Sequence, residues 1–136
     1  MPTGCGPFDI EAVRFVLAPD GTGTAKTVSS SFYSELDTEF EGFRGHALVQ
    51  RFAFDEPWPM WEMHPKGDEF VYLLEGDTDF LLRIDGDDRR LRLSQPGSFV
   101  VVPRGTWHTA RPRQPTTLLF VTPGEGTRNE PTPPES

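Results

Sequence analysis

Four side chains that can bind a metal ion lie in two short blocks of this sequence. Glu62 and His64 stand two residues apart, Glu69 follows five residues later, and His108 lies beyond a further turn-rich segment. Side chains two residues apart on a β-strand point to the same face of a sheet. We therefore expect Glu62 and His64 to point together, with Glu69 and His108 arriving from neighbouring strands.

Imidazole and carboxylate groups in one set suit a divalent metal ion. Imidazole binds Zn, Fe, Ni and Cu, and carboxylate adds affinity for harder ions such as Mn. His64 and His108 with one glutamate would give a two-histidine, one-carboxylate set, and the other glutamate would be a fourth ligand or a base. Two facing carboxylates repel each other unless a metal ion, a proton or a basic side chain lies between them.

The residues around these blocks are typical of short β-strands separated by Gly and Pro. The pattern predicts strands over 8–17, 47–54, 60–64, 69–74, 79–84, 89–93, 98–102, 107–111 and 116–121. Strands 79–84 and 89–93 would form a hairpin over Asp85–Asp88. A short helix within 31–41 is a further possibility, since Phe32, Leu36 and Phe40 have helical spacing. The predicted fold class is an all-β barrel or sandwich.

The chain length fits one domain with a buried core. We predict a flexible N-terminal arm over 1–7, a barrel over 8–123, and a disordered, dispensable tail over 124–136. The tail is predicted to be disordered because it has almost no apolar side chains to offset the entropy of ordering it.

The formal net charge of −8 and the pI of about 4.8 argue against nucleic acid and against an anionic membrane as partners. Four arginines do cluster near residues 83–92, but aspartates lie among them, which indicates a solvated hairpin.

Cys5 alone cannot form an internal disulfide. The N-terminus lacks the features of a signal peptide and no apolar run is long enough to span a membrane, so the expected location is cytoplasmic. His46 is predicted to be structural, and Asp68 a solvated or turn residue.

The two blocks resemble the two motifs of the cupin superfamily. The first motif of that family runs His-x-His, three or four residues, Glu, six residues and Gly, and this chain has Glu62-x-His64, then Glu69, then Gly76. The second runs Gly, five residues, Pro-x-Gly, two residues and His. It is matched in full by Gly97, Pro103, Gly105 and His108. The asparagine that often follows is absent. The sequence is similar to small single-domain bacterial cupins in which Glu replaces the first His.

The resemblance implies a double-stranded β-helix, or jelly-roll barrel, that holds one divalent metal ion (Zn, Fe, Mn or Ni). Its ligands would be Glu62, His64, Glu69 and His108, with Glu62 as a ligand, a general base, or a residue turned away towards an arginine. The expected function is a metal-dependent enzyme (an oxygenase, isomerase or lyase) that acts on a small organic molecule by Lewis-acid or oxygen-activating chemistry. The alternatives are a storage or sensing barrel, and a metal-free cupin with His64 and Glu69 as acid and base on a sugar-like substrate. We also expect a homodimer, because cupins commonly pair and residues 8–17 are apolar.

Overall fold

The structure, a computed structural model, describes residues 4–134 and consists mainly of antiparallel β-strands. One α-helix, α1 (Phe32–Glu39), and a short 3-10 helix (Glu41–Phe43) separate the second strand from the third. The strands in chain order are β1 (Val13–Leu17), β2 (Gly23–Thr27), β3 (Ala47–Phe54), β4 (Trp61–Met63), β5 (Glu69–Glu75), β6 (Thr78–Ile84), β7 (Asp87–Leu93), β8 (Phe99–Val102), β9 (His108–Pro112), β10 (Thr116–Thr122) and β11 (Arg128–Glu130). The all-β prediction is confirmed, and α1 lies in the segment where helical spacing was noted.

The strands form two sheets. The larger sheet has the order β2-β1-β3-β10-β5-β8, and the smaller has the order β11-β4-β9-β6-β7. Consecutive strands such as β4 and β5, or β5 and β6, lie in different sheets, so the chain crosses between the sheets repeatedly. This arrangement is the predicted jelly-roll barrel. Within residues 4–134, no helix combines the length and the apolar character that crossing a bilayer requires.

The main core lies between the two sheets, and the alternation of β5 explains why one carboxylate is inside it. Val71 and Leu73 are fully buried, while Phe70 and Tyr72 are partly exposed on the outer face. Because the side-chain period of a strand is two, Glu69 must share the inner face with Val71 and Leu73. The remaining members of this core are apolar: Phe80, Leu82, Leu93, Val102, Ala110, Leu118 and Phe120.

A second apolar cluster attaches α1 to the larger sheet. Phe32 and Leu36 of the helix are buried against Val16 of β1 and Leu48 of β3, with Phe43 completing the cluster. The helix thereby covers one end of the inner face of the larger sheet.

Backbone contacts hold the two sequence blocks together. The amide of Gly105 donates a hydrogen bond to the carbonyl of His64 (2.9 Å), and the amide of Arg104 donates to the Asp68 carboxylate (2.8 Å). Asp68 is thus a turn residue that joins the blocks. Gly76 turns the chain from β5 to β6 at a φ of +108°, and a Cβ there would lie 2.5 Å from the carbonyl oxygen of Pro115, so only glycine fits.

Two boundary predictions need correction. The first strand begins at Val13 rather than at residue 8, because residues 9–12 form a turn in which the Val13 amide donates to the Asp9 carbonyl (2.8 Å). The predicted disordered tail over 124–136 is wrong for residues 128–130, which form β11 against β4. Backbone pairing and the stacking of the Arg128 guanidinium over Trp107 (5.3 Å) hold this segment without a run of apolar residues. Residues 1–3 of the predicted arm and residues 135–136 of the tail lie outside the described residues.

Candidate metal centre

The structure brings all four predicted side chains together at one end of the inner face. Glu62 lies in β4 and His64 just after it, while Glu69 and His108 are the first residues of β5 and β9. His108 Nε2 lies 3.1 Å from Glu69 Oε1 and 3.8 Å from Glu62 Oε2, and His64 Nε2 lies 3.4 Å from Glu69 Oε2. The predicted convergence of Glu62 with His64, and of both with Glu69 and His108, is therefore observed.

Glu62, His64 and His108 form a group that can hold an ion, since each offers a ligand atom within 4.8 Å of the others. The two imidazoles and Glu69 are buried, whereas the Glu62 side chain is 35% exposed. The centre therefore has a closed side formed by three buried groups and an accessible side formed by Glu62.

The protonation of His64 follows from its hydrogen bond to Thr127. His64 Nδ1 lies 2.8 Å from the hydroxyl of Thr127, and that hydroxyl donates its own proton to the carbonyl of Gly124 (2.9 Å). The hydroxyl is therefore the acceptor towards His64, and Nδ1 carries the proton. In the neutral imidazole, Nε2 then presents its lone pair to the centre, which is the state a metal ligand requires.

His108 is held in the same tautomer by the backbone. Its Nδ1 lies 3.0 Å from the carbonyl oxygen of Thr106, which can only accept a hydrogen bond. His108 Nε2 therefore also presents a lone pair to the centre when the ring is neutral. Glu69 is fixed through its other oxygen, because Oε2 accepts a hydrogen bond of 2.6 Å from the Thr122 hydroxyl.

Three atoms at the centre lack a hydrogen-bond partner among residues 4–134: His64 Nε2, His108 Nε2 and Glu69 Oε1, all fully buried. Glu69 Oε1 and His108 Nε2 are 3.1 Å apart, yet they do not align as donor and acceptor. Buried polar atoms are rarely left unpaired, because their desolvation costs about 1–3 kcal/mol each. Lone pairs that converge without a donor fit a bound cation, so these residues suit a divalent ion.

The surroundings shift the pKa values of the two carboxyl groups in opposite directions. Burial raises the pKa of Glu69, but His108 and His64 outweigh it and lower that pKa to about 2. Burial also raises the pKa of Glu62, and the two histidines offset this only in part. Burial lowers the pKa of His108, but the adjacent Glu69 carboxylate raises it overall. Glu69 is thus ionised at neutral pH, and Glu62 is the carboxyl group that takes up a proton more readily.

A cavity of about 840 Å³ opens onto the centre. Glu62, His64 and Glu69 lie at its inner end, and its walls include the aromatic rings of Phe52, Trp58 and Phe120. Tyr33 of α1, which is 63% exposed, lines the outer end, so the cavity is accessible from solvent. Trp58 therefore lines the cavity as well as packing against the core.

The sequence pattern did not reveal the threonines that position the ligands. Thr127 lies 63 residues from His64, and Thr122 lies 53 residues from Glu69. The parity of β10 could have placed Thr122 on the inner face with Leu118 and Phe120. No spacing rule could have identified Thr127, because it lies in a loop of the segment predicted to be disordered.

No family model matches the sequence, and no curated protein matches it. Solved structures do resemble it. A cupin-2 domain protein from Shewanella frigidimarina is 19% identical over 57% of this chain and 70% of its own, with a TM-score of 0.49. An oxalate oxidase is 14% identical over 60% of this chain and 44% of its own, with a TM-score of 0.50.

A hydroquinone 1,2-dioxygenase, solved in complex with Cd²⁺ and 4-hydroxybenzonitrile, is 17% identical over 56% of both chains, with a TM-score of 0.50. This chain thus spans about half the length of that dioxygenase and less than half of the oxalate oxidase. At sequence identities this low, a structural likeness shows only the architecture, so the activity must be argued from the site. By its two sheets and their strand order, the chain has the predicted jelly-roll barrel, an architecture that it shares with the oxalate oxidase and the dioxygenase.

Proposed function

We propose that this barrel binds one divalent metal ion and acts as a metal-dependent enzyme on a small organic molecule. His64, His108 and Glu69 would hold the ion from the buried side, and Glu62 would be the fourth ligand or a base beside it. When bound, the ion supplies Lewis-acid or oxygen-activating chemistry. Zn, Fe, Mn and Ni all suit two imidazoles with carboxylates.

The observation that carries this proposal is the pair of outer hydrogen bonds made by the histidines, in which His64 Nδ1 lies 2.8 Å from the Thr127 hydroxyl and His108 Nδ1 lies 3.0 Å from the Thr106 carbonyl. Thr127 and the Thr106 carbonyl accept the two Nδ1 protons, so both Nε2 lone pairs face the Glu69 carboxylate, that of His64 towards Oε2 and that of His108 towards the unpaired Oε1. A set of acceptors with no donor is unfavourable unless a cation joins them. Outer hydrogen bonds that fix ligand tautomers in this way are a general feature of metal sites.

The cavity supports an enzyme over a sealed storage barrel. Its outer end is accessible to solvent, so a substrate can enter and a product can leave. Glu62 projects into that cavity and stands 3.8 Å from His108 Nε2. A carboxylate in this position can accept a proton from a substrate bound above the ligands, or hold it for return.

Metal content is the direct test. The purified protein should be stripped with a chelator, reloaded separately with Zn, Fe, Mn and Ni, and analysed for bound metal per chain. We expect about one ion per chain in the unchanged protein and loss of most of it in His64→Ala and in His108→Ala, because each removes a nitrogen ligand. His46→Ala is the matched control, since His46 packs near Phe40 and Phe43, away from the centre. Full metal content in both ligand variants would refute the proposal.

A second candidate is metal-free acid–base catalysis. The contacts of Glu69 with His64 (3.4 Å) and with His108 (3.1 Å) favour it, since a proton shared by these groups would also satisfy the unpaired atoms. In that case the stripped protein would retain its full activity, and reloading would change neither its activity nor its melting temperature. A rise in melting temperature on reloading would favour the metal site, because a ligand that binds only the folded state stabilises it.

A further inference from the structure

A group of polar side chains interrupts the apolar wall of the cavity. Arg14 of β1 donates a hydrogen bond of 2.6 Å from Nη1 to Gln50 Oε1, and the Tyr33 hydroxyl donates to the same oxygen (3.1 Å). All three residues line the cavity that opens onto the metal centre. Three separate elements, β1, α1 and β3, thus direct hydrogen-bonding groups to one point.

The Arg14 guanidinium has no carboxylate partner. Its Nε donates to the carbonyl of Ile10 (2.8 Å) and its Nη1 to Gln50, both neutral acceptors. Among residues 4–134, no Asp or Glu oxygen lies within 4.0 Å of it, although Asp37 lines the same cavity. Arg51, the other arginine in the cavity, is paired with Glu11 (2.8 Å). Arg14 is therefore a half-buried charge that is free to pair with an anion.

The strand register places this group away from the metal ligands. Leu48 pairs with Thr122, whose hydroxyl bonds Glu69, and Gln50 lies in the next row with Phe120 and Val71. From the spacing of strands and of residues along them, the Cα of Gln50 is about 12 Å from that of Glu69. A ligand that reaches from the centre to Arg14 must therefore have a body of roughly one ring or a short chain. The apolar walls beside Phe52 and Trp58 suit such a body.

We propose that Arg14, Tyr33 and Gln50 form a carboxylate-binding subsite, and that the substrate is a small organic acid with an apolar body. The carboxylate would bind Arg14 and Tyr33 in place of Gln50 Oε1, because an ionised acceptor forms hydrogen bonds about twice as strong as a neutral one. The body would lie along Phe52 and Trp58, and its far end would reach the metal centre. The substrate class rests on the proposed function, whereas the subsite itself is testable without metal.

Two isosteric probes test the subsite: 3-phenylpropionate and its neutral amide, titrated by calorimetry at constant ionic strength. We expect the carboxylate to bind at least ~10-fold more tightly than the amide, as a charge-assisted hydrogen bond predicts. Gln50→Glu should abolish this preference, because the new carboxylate would pair with Arg14 and take the place of the ligand. This variant keeps the shape of Gln50 and gains an ion pair, so it should fold.

Arg14→Gln should also remove the preference, and Arg51→Gln is the matched control that should keep it. Equal affinities for the two probes in the unchanged protein would overturn the subsite, and so would a preference that persists in Gln50→Glu. The subsite would also be overturned if Arg51→Gln removed the preference to the same extent, since the overall positive charge of the cavity would then explain the binding. Metal content separates this proposal from the previous one: Gln50→Glu should bind metal normally, and His108→Ala should lose metal but keep the carboxylate preference.

Discussion

Glu62 and His108 lie directly opposite each other in the antiparallel pairing of β4 with β9, and Glu62 Oε2 is 3.8 Å from His108 Nε2. Residues opposite each other on neighbouring strands share a face, so the backbone itself directs the carboxylate to the imidazole. The hypothesis that Glu62 turns away to pair with an arginine does not describe this structure. When ionised, Glu62 brings a negative charge to the centre.

The first prediction concerns that charge. Glu62→Gln should lower the affinity for metal by about 10-fold, because it keeps the side-chain shape and removes an anion beside a cation. Glu62→His should retain the metal and shift the preference from Mn towards Ni and Cu, since imidazole is the softer ligand. Titration of the stripped proteins with Mn and Ni measures both effects. Glu56→Gln, at an exposed position, is the control. Equal affinities in all variants would place Glu62 outside the metal site.

The second prediction concerns Thr127, which fixes the tautomer of His64. Thr127→Val removes the acceptor for the His64 Nδ1 proton and should lower metal affinity by about 10–100-fold, the usual effect of losing such a partner. Thr127→Ser retains the hydroxyl and should bind metal normally. Competition with a chromogenic chelator measures these affinities. If valine and serine variants bind equally well, the hydrogen bond does not orient the ligand.

The sequence predicted the strands and the metal-binding side chains, but it did not predict the hydrogen bonds that hold those side chains in place. Alternation along β5 placed Glu69 on the inner face with Val71 and Leu73, and motif spacing identified His64 and His108 as partners. These are local properties of strands and turns. The hydrogen bond of Thr127 is not local, since it depends on how a distant loop returns to the barrel.

The amino-acid composition of the C-terminal segment predicted disorder where the structure has β11, and the reason is physical. Low hydrophobicity predicts disorder when a segment must bury apolar area to become ordered. β11 instead pairs its backbone with the free edge of β4, and Arg128 stacks on Trp107. An unpaired strand edge can order a polar segment through backbone hydrogen bonds, and a single sequence does not show where that edge will be.

The third prediction replaces the expectation of a dispensable tail. Ending the chain after Gly126 removes Thr127 and β11, so it should lower the melting temperature by several degrees and weaken metal binding. Ending it after Glu130 keeps both and is the control. Differential scanning calorimetry with metal titration compares the two. Similar melting temperatures and metal affinities would show that β11 contributes nothing.

The fourth prediction is a homodimer through the outer face of the larger sheet. Phe70 and Tyr72 of β5 stand opposite Val101 and Phe99 of β8, and Phe99 is 55% and Val101 52% exposed. Tyr72 also faces Leu119 of β10, so the apolar surface is continuous across three strands. Apolar surfaces of this kind mark protein interfaces, and a twofold pairing of identical faces is the commonest assembly.

Sedimentation at micromolar concentration should therefore give a dimer, and Phe99→Asp should give a folded monomer. Leu91→Asp, an equally drastic change at an exposed position of β7 in the other sheet, should remain dimeric. A monomeric unchanged protein would contradict the proposed dimer, and a dimer that survives Phe99→Asp would place the interface elsewhere.

The fifth prediction concerns the pH dependence of stability at α1. Lys26 of β2 is buried and donates to Glu35 (3.0 Å) and Glu39 (3.1 Å) of the helix. The hydrogen bond from Lys26 lowers the pKa of Glu35. Burial lowers the pKa of Lys26, but the two carboxylates raise it overall.

A lowered carboxyl pKa gives stability that is present above its ordinary value of 4.5 and is lost as the pH falls through the folded value. A raised lysine pKa gives stability that is present below 10.5 and is lost as the pH rises through the folded value.

The contact should therefore stabilise the helix at neutral pH and weaken under acid. Lys26→Met replaces the ammonium by an apolar group of similar length, so Glu35 returns towards its ordinary pKa and the melting temperature should fall less steeply between about pH 5 and pH 3. Lys66→Met removes the same charge from an exposed position and should keep the original slope, which separates the ion pair from a change in net charge. Thermal melts followed by circular dichroism across this range give the three slopes. If Lys26→Met and the unchanged protein lose stability in parallel, the acid sensitivity arises from other carboxylates, and the contact holds α1 in place without coupling it to pH.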